Sequence, residues 1–152
     1  MKNKVFGVII VIVIVIVVAN LVVSYNSNNS ICNYYDSLIN ECFTGVDKAE
    51  LKYIIIIPNQ GCGGCITYAE DFYLNNKCRN DMFFVFTSIV SLKVLYLDIK
   101  IRTENTLLDI NNKFIEILPN DKIIYPIVLF IDNGKVKKIE FQSPDNNILD
   151  TM

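Results

Sequence analysis

Histidine is absent from all 152 residues. With it go Ser-His-Asp and Cys-His nucleophile systems, the histidine-bearing zinc-hydrolase motifs and haem held by His, so any chemistry must rest on thiols, carboxylates or lysines. An excess of positive charge is lacking too. Fourteen Lys and Arg stand against 16 Asp and Glu, a net charge of −2, and the balance becomes more acidic once Lys2 and Lys4 are set aside with the segment that follows them. That argues against a nucleic-acid partner. Apart from one Val/Ile run, there is no repeat or low-complexity stretch. What remains after that run is enough chain for a single modest core.

The run itself, Val5 to Val23, is almost wholly apolar and ends in the polar stretch Ser24 to Ser30. Its length is near the roughly 20 residues that span a bilayer, and lysines before it with none just after it place the N-terminus in the cytoplasm and the remainder outside. Residues 1–23 are therefore expected to be a transmembrane anchor or a signal peptide, the latter because Val22-Val23-Ser24 offers small residues for cleavage. No lipidation box precedes Cys32. Either way the domain is expected on the extracytoplasmic (periplasmic) side, anchored to the membrane or secreted if the segment is cleaved. Disulfides persist there.

Residues 24–48 are expected to form a tether, the polar linker 24–30, followed by an amphipathic helix. In that helix Tyr34, Tyr35, Leu38, Ile39 and Cys42 recur at helical spacing and Gly45 stops it. Residues 49–152 then read as one α/β domain. Leu51 to Ile57 is a continuous β-branched run suited to a strand buried on both faces, ended by Pro58. Cys65, Ile66, Ala69, Phe72 and Tyr73 give an amphipathic helix running to Asn75-Asn76. Met82 to Thr87 is the next strand, and Ser88 is the expected N-cap of a helix through Tyr96. Thr106 to Ile110 and Phe114 to Ile117 flank Asn111-Asn112 as an expected hairpin. Asp132-Asn133-Gly134, between Ile127–Ile131 and Val136–Phe141, is the strongest hairpin signal. After Ser143-Pro144 only a short polar tail is expected.

The chemistry concentrates at Gly61-Cys62-Gly63-Gly64-Cys65, where the first strand hands over to the first helix of the domain. A thiolate at a helix N-terminus faces unpaired backbone N–H groups and the positive end of the dipole, which lowers its pKa. Two residues between the cysteines on a helical turn let the sulfurs close a disulfide. Cys62 is thus the expected attacking thiol and Cys65 the resolving one. A structural disulfide remains the plain alternative. Zinc needs four ligands, and without a second CxxC or any histidine they would have to come from Cys32, Cys42 or Cys78 at irregular spacing. No metal or other cofactor is expected. Cys32 and Cys42 lie too far apart on a helix to pair, and Cys78 is expected to be a buried or half-buried thiol.

Strand, CxxC at a helix start, strand, helix, then an X-Pro before an antiparallel hairpin resembles the thioredoxin-like fold over roughly Glu50 to Gln142. With the apolar N-terminal segment, the Ile-Pro-x-x-Gly-Cys-x-x-Cys-Ile form looks most like small bacterial exported thiol-disulfide proteins of the group that includes thioredoxin, periplasmic reductases and peroxiredoxins. The resemblance implies a central mixed sheet flanked by helices. It implies thiol-disulfide exchange with cysteine-containing exported proteins and a thiol-disulfide electron partner. It also implies a cis bond at Tyr125-Pro126, with both residues beside the dithiol in a substrate groove. Two features depart from the pattern: Gly61 replaces the usual aromatic residue before the first cysteine, and Tyr53 to Ile57 hold no buried acid. The terminal helix of the fold is also missing from the pattern, and the Tyr34–Cys42 helix is expected to cover the exposed sheet face instead. Two other readings stay open on this pattern. A thiol peroxidase would use Pro58 and Cys65, with Cys62 where a hydroxyl residue usually stands, and a redox-inactive binding module would use neither thiol. A copper carrier would place Met ahead of the motif, where Gln60-Gly61 stands instead.

Overall fold

The computed structural model describes the backbone of residues 2–101 and 104–152, and their side chains except those of 2–11 and 23–28. Four hydrophobic isoleucines in succession, Ile54 to Ile57, determine where the centre of the molecule lies. They occupy β1 (Tyr53–Pro58), and none of the four has measurable solvent exposure. Because successive side chains on a strand point to opposite faces, Ile54 and Ile56 enter one apolar cluster while Ile55 and Ile57 enter the other. Each such side chain contributes about 1.5–3 kcal/mol relative to exposure. A strand of this kind is stable only with neighbours on both edges and layers on both faces.

Both are present. The sheet has the order β3-β2-β1-β4-β5. β2 (Met82–Thr87) lies parallel to β1, with Ile55 opposite Phe84, and β3 (Thr106–Leu108) lies parallel to β2. On the other side β4 (Ile127–Asp132) and β5 (Lys135–Phe141) add an antiparallel hairpin. Its turn is the expected one, with Asn133 at φ 52° and Gly134 at φ 72°, the left-handed pair that a two-residue hairpin needs. Exposed Lys135, Lys137 and Lys138 lie along β5, an edge strand that charge keeps from pairing with other chains.

One face is covered by α2 (Gly63–Asn76), α3 (Leu92–Leu97) and a closing 3₁₀ turn, Ile148–Thr151. The expected polar tail is therefore corrected: Ile148 and Leu149 are buried with Ile55, Ile57 and Tyr73, because Gln142 and the Ser143–Asn146 turn fold the chain back onto the sheet. The opposite face is covered, as expected, by the C-terminal part of α1 (Lys2–Cys42). Tyr35, Leu38 and Ile39 pack there on Ile54, Ile56 and Leu129. The Tyr34 and Tyr35 hydroxyls donate to the Lys113 and Phe114 carbonyls, both at 2.7 Å.

Three further expectations are corrected. The polar stretch 24–30 does not interrupt α1, which runs as one helix from Lys2 to Cys42 before Gly45, at φ 87°, turns the chain. The N-cap of α3 is Ser91, whose hydroxyl accepts from Val94 N–H; Ser88 is instead a left-handed residue at φ 51° held by Asn112. No hairpin forms around Asn111-Asn112. Thr106–Leu108 pairs with β2, and buried Asp109 turns the chain by accepting from the N–H groups of Lys113 and Phe114 at 3.0 and 2.8 Å. Among the described residues no helix is long and apolar enough to cross a membrane. The described part of the apolar run, Ile12 to Val22, is exposed along α1, and the side chains of the remainder of the expected anchor lie outside the described residues.

Candidate active site

Pro58 ends β1, and the chain turns through Asn59-Gln60-Gly61 into Cys62, the N-cap of α2. That turn is fixed by backbone partners. Asn59 N–H donates to the Thr87 carbonyl at 2.8 Å, and Cys62 N–H donates to the Ile124 carbonyl at 3.0 Å. Gly61 is needed for the second bond. Its φ is 141°, and a Cβ there would lie 2.7 Å from the Ile124 Cα, so only glycine permits this approach without displacement.

Cys62 and Cys65 are joined in a disulfide with their Cα atoms 5.3 Å apart. Their environments differ. Cys62 is half-buried at the open end of the helix, whereas Cys65 is only 6% exposed, packed with the layer formed by Ile66, Ala69 and Tyr73. No side chain caps the helix at Cys62, so the first-turn amides at this end receive no side-chain acceptor from the N-cap residue. Gly63 and Gly64 are exposed, and a Cβ on either would touch nothing within 4 Å. They leave the disulfide uncovered. Cys62 is the more exposed of the two to an incoming sulfur, and both cysteines border the groove beside them.

Beside the disulfide runs an open groove with Cys62, Gly64 and Cys65 on one wall and Gln142, Ser143 and Pro144 on the other. Gln142 is buried and fully engaged: its Nε2 donates to Asn147 Oδ1 at 3.1 Å, and its Oε1 accepts from Leu149 N–H at 3.2 Å. It holds the 143–147 turn against the groove. Sequence reading missed Gln142, Asn147 and Tyr68, the last of which spans the groove's edge by donating from its hydroxyl to Asp150. The signal was slight: a lone glutamine after a strand says nothing of what lies opposite it.

The Tyr125-Pro126 segment is beside this site, but the expected isomer is corrected: the bond is trans. The preceding turn closes on itself, with Ile123 N–H bonded to the Pro119 carbonyl and Tyr125 N–H to that of Lys122, and so brings the Ile124 carbonyl, rather than a cis-proline ring, to Cys62. Tyr125 is half-buried. Pro126 is buried; neither residue lines the groove itself, and Pro126 is linked to it only through Gln142, whose N–H donates to the Pro126 carbonyl at 2.8 Å.

The remaining cysteines are elsewhere. Cys32 and Cys42 sit on α1 outside any disulfide, and burial first, then Asp36 or Glu41 respectively, pushes each thiol above its ordinary value. Cys78 is exposed, contrary to expectation, because α2 ends at Asn76 and the chain turns outward toward the Arg79–Asp81 ion pair. Among the described residues no three Cys, Asp or Glu side chains gather as a metal site. Compared with known proteins, the chain matches no family model, no curated protein and no solved structure.

Proposed function

We propose that the chain is a thiol-disulfide oxidoreductase of thioredoxin-like architecture that exchanges disulfides with cysteines of exported proteins. One observation carries this reading: a disulfide at the N-cap of α2, with its outer sulfur half-exposed and its inner sulfur buried. A disulfide that merely staples a fold gains nothing from this asymmetry or from a helix terminus. Placement supports it further. β1 is flanked by parallel β2 on one side and antiparallel β4 on the other, and crevices at the carboxyl ends of strands where connections diverge are where open α/β sheets bind ligands. The exposed apolar side chains from Ile12 to Val22 on α1 support a membrane tether, with the domain on the extracytoplasmic side.

In the reductive direction the reduced pair begins. Cys62 thiolate attacks one sulfur of a substrate disulfide, that bond breaks, and the substrate's other sulfur leaves as a thiolate. Cys65 thiolate then attacks the Cys62 sulfur and releases the second substrate thiol. Two electrons pass to the substrate and the Cys62–Cys65 bond reforms. A dithiol partner must reduce it again; with a disulfide partner the same steps run in reverse and oxidise the substrate.

The test is equilibration of the full-length chain in glutathione buffers of graded ratio, followed by acid quench and mass analysis of alkylated cysteines. A reversible two-electron transition confined to Cys62 and Cys65 is expected. A pair that stays oxidised even in excess dithiothreitol would make the disulfide structural.

A further inference from the structure

Opening the Cys62–Cys65 bond leaves a negative charge on the sulfur that departs, and little around Cys65 stabilises one. Cys65 is 6% exposed, on the buried side of α2 with Ile66, Ala69 and Tyr73. The adjoining strand, Tyr53–Pro58, carries no acid that could exchange a proton with it. The groove beside the disulfide encloses about 280 Å³, and among the described residues no Asp, Glu, Lys or Arg lines it. Burial disfavours the charged form of a thiol, and a hydrogen bond donated to the thiolate restores it. A donor in the groove would therefore bear directly on the reaction.

Apart from the thiols, the polar side chains in the lining are those of Tyr68, Gln142, Ser143 and Asn147. Three are accounted for. The Tyr68 hydroxyl donates to Asp150, and Gln142 uses both ends of its amide, on Asn147 Oδ1 and on Leu149 N–H. Asn147 is exposed, with its side-chain oxygen taken by Gln142. Ser143 is half-buried, and its hydroxyl bonds to no other group among the described residues. Its backbone, by contrast, is fixed. The Ser143 N–H donates to the Asn146 carbonyl at 3.1 Å, the Ser143 carbonyl accepts from Asn146 N–H at 3.0 Å, and Gln142 before it is bonded to the Pro126 carbonyl. Pro144 after it has its φ set by the ring. A hydroxyl on so fixed a wall has only to turn about one bond to meet an acceptor.

We propose that Ser143 is a catalytic residue: from the wall facing the disulfide, its hydroxyl donates a hydrogen bond to the Cys65 thiolate formed when the disulfide opens. The inference rests on the exchange activity proposed above. An incoming thiolate attacks the Cys62 sulfur, the bond to Cys65 breaks, and its electron pair departs on Cys65. The Ser143 O–H donates to that sulfur and keeps its proton. A stabilised thiolate is the better leaving group, and a donor already in place needs no rearrangement as the charge arrives. The charged groups on the elements packed around the groove lie outside its lining: Glu70 and Asp71 on α2, Asp121 and Lys122 before Ile124, Lys138 and Glu140 on β5, and Asp145 and Asp150 after it. Replacing Ser143 leaves all of them in place, so the hydroxyl's own effect is what such a replacement reads.

The experiment uses the full-length chain in neutral-lipid nanodiscs and takes two readouts. In a Cys62→Ser background, the pKa of Cys65 is read from the pH dependence of iodoacetamide labelling by peptide mass mapping. With both cysteines present, the rate at which 2-mercaptoethanol opens the disulfide is followed. Ser143→Ala is expected to raise the Cys65 pKa by about one unit, since hydrogen bonds to charged groups are the stronger kind, and to slow opening about threefold. Ser143→Thr is expected to keep both values close to wild type, and Ser143→Val, of the same shape without the hydroxyl, to match Ser143→Ala. The Thr and Val pair gives the answer should Ser143→Ala lose its fold. A Cys65 pKa unchanged in a folded Ser143→Ala, or one that Thr and Val shift equally, overturns the proposal. A wild-type disulfide that 2-mercaptoethanol cannot open removes the exchange reading instead, and the Cys65 titration still decides whether Ser143 donates to that sulfur.

Discussion

Cys62 and Cys65 are chemically alike and differ only in where the fold puts them. Helix-terminal amides and partial exposure act on Cys62, and burial in the α2 layer acts on Cys65. After reduction, iodoacetamide at neutral pH is expected to label Cys62 at least tenfold faster than Cys65, read by peptide mass mapping; equal rates would remove the assignment of roles. Gly61 is the residue on which this geometry turns. Gly61→Ala must leave φ 141° or push Ile124 away, so a loss of about 2 kcal/mol or more is expected in urea unfolding, where strain at such positions ranks among the large effects. By contrast Gly63→Ala meets open space and should be tolerated. Glu70 gives a pH signature: burial first, then the neighbouring Asp71, raises its carboxyl above its ordinary value. A raised folded pKa favours the protonated form, so its contribution is fully present below the unfolded pKa and lost as pH rises through the folded one. Glu70→Gln is therefore expected to raise Tm at pH 7 and leave it nearly unchanged at pH 3.

Helix α1 has two parts with different work. Its C-terminal turns bury Tyr35, Leu38 and Ile39 on the sheet, and the Tyr35 hydroxyl reaches the Phe114 carbonyl. A chain starting at residue 30 should keep the domain's circular-dichroism melt, whereas one starting at residue 44 should lose about 5 kcal/mol or more, from three buried side chains at about 1.5–3 kcal/mol each, and aggregate. These elements were legible in the sequence because their signals are local and periodic: β1, α2, β2 and the Asp132–Gly134 hairpin fall where alternation, helical spacing and turn residues place them. The misread parts depend on distant partners. Thr106–Leu108 becomes a strand only because β2 offers an edge, Ser88 loses the cap position to Ser91 because Asn112 and Asn59 seize its loop, and Ile148–Leu149 are buried only because the chain folds back. The two thiols of the site could be read from their spacing. The groove wall at Gln142 could not, since nothing before folding places it 77 residues away from Cys65 in sequence yet across a groove from it.

At the scale of the whole molecule, the two ends of the parallel strands differ. The amino ends carry a depression lined by Asp47, Glu50, Lys77 and Arg79, while the disulfide and the groove beside it lie at the carboxyl end of β1. Such polarity suits a domain that meets partners at one end. With the N-terminal segment as a tether, an impermeant maleimide applied to intact cells after mild reduction is expected to label Cys62 and the exposed Cys78; labelling only after lysis would place the domain in the cytoplasm. The most direct measurement of thiol exchange itself is trapping in the cell of origin. Full-length Cys65→Ser, acid-quenched and resolved without reductant, is expected to carry cysteine-containing exported proteins in mixed disulfides through Cys62, all released by dithiothreitol and all missing from Cys62→Ser. Equal adducts from both variants, or none from either, would contradict a function based on this dithiol.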